Sequence, residues 1–211
     1  MVAAGDAGWG GDIVTREVDP VDRERARLFS LLARLSSAPP DAALLGRLAG
    51  LRGDDSPLGL AFTQLAGAAG TTTAEAAKRE YFALFIGVGQ GELLPYASYY
   101  ITGFLHERPL AELRGTLRQL GIERTPGVAE PEDHIAFGCE VMAGLLEGRF
   151  GDASAEAFFA RHLAPWAGRC FADMAGAEAG RFYRAVGTLG RTVIDIEQAA
   201  AALPEPGPAG R

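Results

Sequence analysis

The residues of this chain that could do chemistry gather in two stretches. The first, GVGQGELLPYASYY at residues 87–100, sets a glycine-rich loop before a proline and three tyrosines within five positions. Tyrosine offers a large apolar face with a polar end at low rotamer cost, so such clusters suit peptide binding; core packing with the hydroxyl at the rim explains a single tyrosine equally well. The second stretch, EPEDH at residues 130–134, brings three carboxylates and an imidazole into five positions. Asp133 reads as an ion-pair acceptor for a partner's arginine, with His134 as a neighbouring polar anchor. Pro131 in a first helical turn, with Glu132 and Asp133 near the positive end of the helix dipole, explains the same pattern with no function at all.

Other chemistries fit poorly. Gly87, Gly89 and Gly91 resemble a nucleotide loop only in composition, because dinucleotide and P-loop motifs need a strand before them and, in the second case, a lysine. His106, His134 and His162 are each 28 residues apart, far from the i, i+3 or i+4 spacing of a helical metal site. His162 reads instead as a helix-end residue bonding a nearby carbonyl, with Pro165 and Trp166 packed beneath it. Cys139 and Cys170 lie 31 apart without CxxC spacing and read as buried apolar residues in a reducing compartment. No Ser, His and Asp arrangement of catalytic type is signalled. Two alternatives stay open at this point: a metal-dependent hydrolase using His134 with Glu132 or Asp133, and a generic helical interaction module.

Helices must position these stretches. The 211 residues are 48% hydrophobic and 22% charged, a globular balance. A net charge of −7 argues against a nucleic-acid partner, and no apolar run reaches the roughly 20 residues of a membrane span. The N-terminus lacks a basic segment followed by an apolar one, so a cytoplasmic location is expected. Residues 1–18 read as a flexible leader and 203–211 as a tail, around a helical domain at 19–202. Asp19 with Pro20 starts the first helix, with Leu28, Leu31, Leu32 and Leu35 on its inner face; Asp41 and Ser56 open two more. Thr72 and Glu75 match a capping box before a helix that Gly87 stops. Pro109 and Pro131 open further helices, the second with Ile135, Cys139, Met142 and Leu146 inward. The last helix sets Phe182, Val186, Leu189, Val193 and Ile196 on one face. The spacing predicts an all-α bundle of nine or ten helices, with residues 123–130 as the candidate hinge between two lobes.

The blocks EYFALFIG, GELLPYASYY, EPEDHIAF and HLAPWAGRCFADM occur here in an order that resembles the TorD-like family of redox-enzyme maturation chaperones, which includes the DmsD and NarJ groups. The likeness spans roughly residues 22–200. It implies a cytoplasmic all-helical chaperone, without enzymatic activity or a cofactor of its own, that binds the twin-arginine leader or the apo form of a molybdenum-cofactor oxidoreductase before export. Pro95, Tyr96 and Ser98 match the family's recognition residues in the first block. Asp133 and His134 match in the second, completed by Glu130 and Pro131. His162, Pro165 and Trp166 match a block taken as structural. Some relatives carry tryptophan where this chain has Tyr96, which bears on leader selectivity. The expected binding surface is Leu93, Leu94, Tyr96 and Tyr100 for an apolar stretch and Asp133 for an arginine, with Gly87–Gly91 giving mobility. A monomer and a domain-swapped dimer formed at the hinge both fit the sequence.

Overall fold

The computed structural model describes residues 18–123 and 130–203. Ten α-helices follow one another: α1 (Pro20–Ser37), α2 (Ala42–Ala49), α3 (Pro57–Gly70), α4 (Ala74–Tyr81), α5 (Ala97–Thr102), α6 (Arg108–Gln119), α7 (Ile135–Leu146), α8 (Ala155–Phe158), α9 (Ala167–Gly176) and α10 (Arg181–Ala201). Two wider π-helical turns, Phe82–Ile86 and Phe159–Leu163, continue α4 and α8. Among the described residues there is no strand, only an isolated antiparallel bridge between Tyr96 and His134. The expected leader and tail lie outside the described residues except for Val18 and Leu203, and the expected hinge does so except for Glu123 and Glu130.

Local chemistry sets the helix starts. The Asp19 carboxylate accepts the Val21 N–H at 2.7 Å with Pro20 as the first helical residue, and Asp41 and Ser56 cap α2 and α3 in the same way. Two starts differ from the sequence reading. Thr73, not Thr72, caps α4 by accepting the Ala76 N–H at 3.2 Å; Ala76 then holds the third helical position, so Glu75 is not the partner of a capping box. The helix expected from Pro131 begins four residues later, at Ile135. Pro131–His134 form a turn, and His134 is the cap.

The core runs through both halves of the chain. α7 packs on α1, and α10 packs on α9 and α3, with Phe29, Leu65, Met142, Phe171 and Phe182 in one connected cluster. Each such side chain contributes about 1.5–3 kcal/mol when withdrawn from water. Gly187 lets α10 approach α9 closely, since a Cβ there would stand 2.3 Å from the Ala175 nitrogen. The apolar stripe of α10 holds as far as Val193 and then differs: Ile196 is exposed, and Glu197 is buried in its place. The 3.6-residue period carries the stripe from Val193 to position 197. There Arg25 of α1 grips the carboxylate with Nε at 2.9 Å and Nη2 at 2.7 Å, which supplies the partner a buried charge requires.

α7 is the most enclosed helix. Ten of its twelve residues are buried, and the two that are not are Phe137 and Glu140. Both face the groove described next.

Candidate functional site: a clamped turn beside a polar groove

The two chemically distinctive stretches meet. The Ala97 N–H donates to the Asp133 carbonyl at 2.9 Å and the Ile135 N–H to the Pro95 carbonyl at 2.8 Å, which makes the bridge between Tyr96 and His134. Side chains reinforce it. Asp133 Oδ2 accepts the Ser98 N–H at 2.9 Å, close to the start of α5 where free N–H groups await partners. The Tyr96 hydroxyl donates to Glu130, and its ring meets the His134 imidazole edge to face with centroids 5.2 Å apart. Burial and the bond to Glu130 hold the Tyr96 phenol well above the usual tyrosine range. Glu132 takes Arg114 of α6 through Nε at 3.1 Å and Nη2 at 2.8 Å, which ties the turn to a third element and raises the guanidinium's pKa.

His134 closes the turn and opens the helix. Its Nδ1 accepts the Ala136 N–H at 3.1 Å, so the neutral ring carries its proton on Nε2. Burial lowers its pKa and outweighs the opposing pull of Glu130 and Asp133.

The structure redistributes the expected binding surface. Leu94, Tyr96 and Tyr100 are half-buried and Glu130 is exposed, but Leu93 is 7% exposed and belongs to the core. Pro95 and Ser98 are buried in the bridge, and Pro131 is half-buried in the turn. The hydroxyl of Tyr100 donates to Asp173 at 2.8 Å, its ring lies against Trp166, and Arg169 donates to its carbonyl at 2.7 Å. Asp133 is 2% exposed, so it offers an incoming arginine no open carboxylate oxygen; its work is to hold α5. Its Oδ1 is buried without a partner among the described residues.

The glycine loop has a geometric duty beside any mobility. The chain folds back on the π-turn, with the Gly87 N–H donating to the Phe82 carbonyl at 2.7 Å and the Leu93 N–H to the Leu84 carbonyl at 2.8 Å. A Cβ on Gly87, which has φ +62°, would stand 1.9 Å from the Gln90 carbonyl oxygen, and one on Gly91 2.4 Å from that of Leu84. Val88 at the tip is 99% exposed. Either side of the loop, a glutamate pins it to the C-terminal helices. Glu80 accepts the Phe182 and Tyr183 N–H groups at 2.9 and 3.3 Å, and Glu92 those of Glu178 and Ala179 at 2.7 and 3.1 Å.

In the third block, His162 Nε2 meets the Thr116 hydroxyl at 2.8 Å, while the His162 carbonyl accepts the Trp166 indole N–H at 2.7 Å. The ring thus bonds a hydroxyl where a carbonyl was expected, because α6 packs alongside. Among the described residues no three His, Cys, Asp or Glu side chains gather as a metal site. Cys139 and Cys170 are fully buried, which pushes both thiols up.

Beside the clamp lies a groove of about 600 Å³. Its walls are Arg34 and Ser37 from α1, Tyr81 at the end of α4, Glu130 and His134 from the turn, and Phe137 and Glu140 from α7, with Arg149 beyond that helix. Sequence reasoning found Glu130 and His134 here and missed the rest. A signal existed in α7, whose Phe137 and Glu140 stand apart from the inward stripe of Ile135, Cys139 and Met142.

Comparison with known proteins bears on this arrangement. The sequence profile of the nitrate reductase delta subunit family matches residues 51–172. The chaperone protein TorD of Aliivibrio fischeri is 33% identical over 64 residues, which span 29% of this chain and 30% of that protein. A solved structure from Archaeoglobus fulgidus, of a protein proposed to act in redox enzyme maturation, superposes with a TM-score of 0.51 over 82% of this chain and 93% of that one. At 23% identity this last likeness speaks for the fold.

Proposed function

We propose, from the premise that the chain belongs to the nitrate reductase delta subunit family and is therefore a redox-enzyme maturation chaperone and not an enzyme, that it binds the leader peptide of a client oxidoreductase beside the clamped turn. The client is a molybdenum-cofactor enzyme in its apo form, its leader carries two arginines before an apolar stretch, and the encounter takes place in the cytoplasm before export. No helix of the described residues is long and apolar enough to cross a membrane.

The observation that carries this reading is the junction of Tyr96, Glu130 and His134. It sets half-buried aromatic surface next to an exposed carboxylate at the mouth of the groove. Leu94 and Tyr96 offer the apolar stretch a surface, and the acidic side of the groove offers the arginines a counter-charge. Pro95, Ser98, Pro131 and Asp133 hold the junction in shape; Leu93 and Tyr100 anchor it to the core and to α9. The reading is tested by calorimetry with a synthetic twin-arginine leader. Tyr96→Ala is expected to weaken binding about tenfold, as loss of a buried aromatic contact does. Unchanged affinity in both Tyr96→Ala and Glu130→Ala, with folding verified by circular dichroism, overturns it. Equal binding of a leader with scrambled arginines identifies a generic interaction module instead.

A further inference from the structure

The groove contains four charged side chains, and three of them already have partners. Arg34 donates to the carbonyls of Ala38 and Pro39 at 2.9 and 3.4 Å, at the end of its own helix. Arg149 pairs with Glu147 at 2.8 Å. Glu130 accepts the Tyr96 hydroxyl. Glu140 is exposed and receives no hydrogen bond or ion pair from any described residue. A second group in the same wall is also open. His134 is 8% exposed, its Nδ1 is engaged by the Ala136 N–H, and no described residue takes Nε2, so an N–H donor is left toward the groove.

The net demand of the wall is therefore one cation and one hydrogen-bond acceptor. A metal ion satisfies only the first, since a donor N–H repels it. An anion meets Glu130 and Glu140 with like charge, while Arg149 is already paired with Glu147 and Arg34 is turned to the carbonyls that end its own helix. An arginine residue of a peptide supplies both: its guanidinium for the carboxylate and a main-chain carbonyl for Nε2–H. Phe137 and Tyr81 line the same groove with aromatic surface, on which a planar guanidinium stacks better than a compact ammonium does.

Resting on the leader-binding reading above, we infer that Glu140 is the residue that recognises a leader arginine, with His134 Nε2–H holding main chain beside it, and that Asp133 acts only by positioning the turn. The place of Glu140 in α7 fits this role. On a helix otherwise withdrawn into the core, it and Phe137 alone remain outside.

The test uses the full chain and three synthetic leaders, bearing two arginines, two lysines or two glutamines before the same apolar stretch. The parent protein is expected to bind the arginine leader about tenfold more tightly than the glutamine one, with lysine between them. Glu140→Gln, an isosteric change on an exposed position, is expected to lose that tenfold and to bind the three leaders alike. If Glu140→Gln keeps the parent's preference for arginine, the assignment of Glu140 is overturned while leader binding stands. If the parent itself binds none of the leaders, the leader reading fails and this inference falls with it.

Discussion

Two acidic stretches flank the chemistry of this molecule, and they use their carboxylates in opposite ways. Around the glycine loop, Glu80 and Glu92 spend their oxygens on main-chain N–H groups at the approach to α10 and at its start. Between Glu130 and Glu140, Asp133 does the same for the Ser98 N–H, Glu132 holds the Arg114 guanidinium, and Glu130 accepts the Tyr96 hydroxyl. Glu130 and Glu140 reach the groove. Both stretches rely on carboxylates, two in the thirteen positions 80–92 and four in the eleven positions 130–140. What sets Glu140 apart is that no described residue partners its carboxylate, and only packing decides that.

The sharpest way to break this contrast is at Glu80. Glu80→Ala leaves the Phe182 and Tyr183 N–H groups without their acceptor at a buried helix start, and chemical denaturation is expected to show a loss of about 2–3 kcal/mol. Asp133→Ala is expected to cost less, about 1–2 kcal/mol by the same measurement, because removing the unpartnered Oδ1 relieves a desolvation penalty while the Ser98 bond is lost.

Acid should erode the same scaffold gradually. Burial lowers the pKa of His134, and burial together with Arg161 lowers that of His162, below the ordinary value of 6.5. The unfolded chain then binds more protons than the folded one in that window. Stability is therefore full above about pH 6.5, declines as pH falls from there toward the folded values, and levels off below them. Urea midpoints measured from about pH 7.5 to about pH 5 follow this course, and a flat profile contradicts it. Glu140→Gln lies at the other extreme, with an expected change in stability within about 0.5 kcal/mol, because nothing in the fold depends on it. A larger loss makes Glu140 part of the scaffold and removes the contrast.

Much of the fold was legible in the sequence because short-range rules dominate it. Asp19, Asp41 and Ser56 sit where a cap needs an oxygen, and leucines at helical spacing mark inner faces. One error was local, and the others arose where a distant partner intervened. Thr72 and Thr73 are interchangeable as letters, and the extended backbone at Thr73 makes it the cap. Pro131 looks like a helix start, but the pull of Pro95 and Ser98 on residues 133–135 holds it in a turn. Glu197 broke the apolar stripe of α10 because Arg25, 172 residues away, neutralises it.

At the candidate site the sequence identified which stretches are unusual, and the structure brings Tyr96 to His134 and Ser98 to Asp133. It did not reveal that Asp133 is buried or that α1 supplies a wall. Charge in a motif suggests exposure, whereas burial follows from long-range packing that no local pattern encodes.

The π-turn at Phe82–Ile86 carries one more residue in its hydrogen-bonded ring than an ordinary helical turn, closed by the Gly87 N–H on the Phe82 carbonyl. The extra position delays the helix exit, so that Gly87 with φ +62° turns the chain and the Leu93 N–H returns to the Leu84 carbonyl inside the same turn.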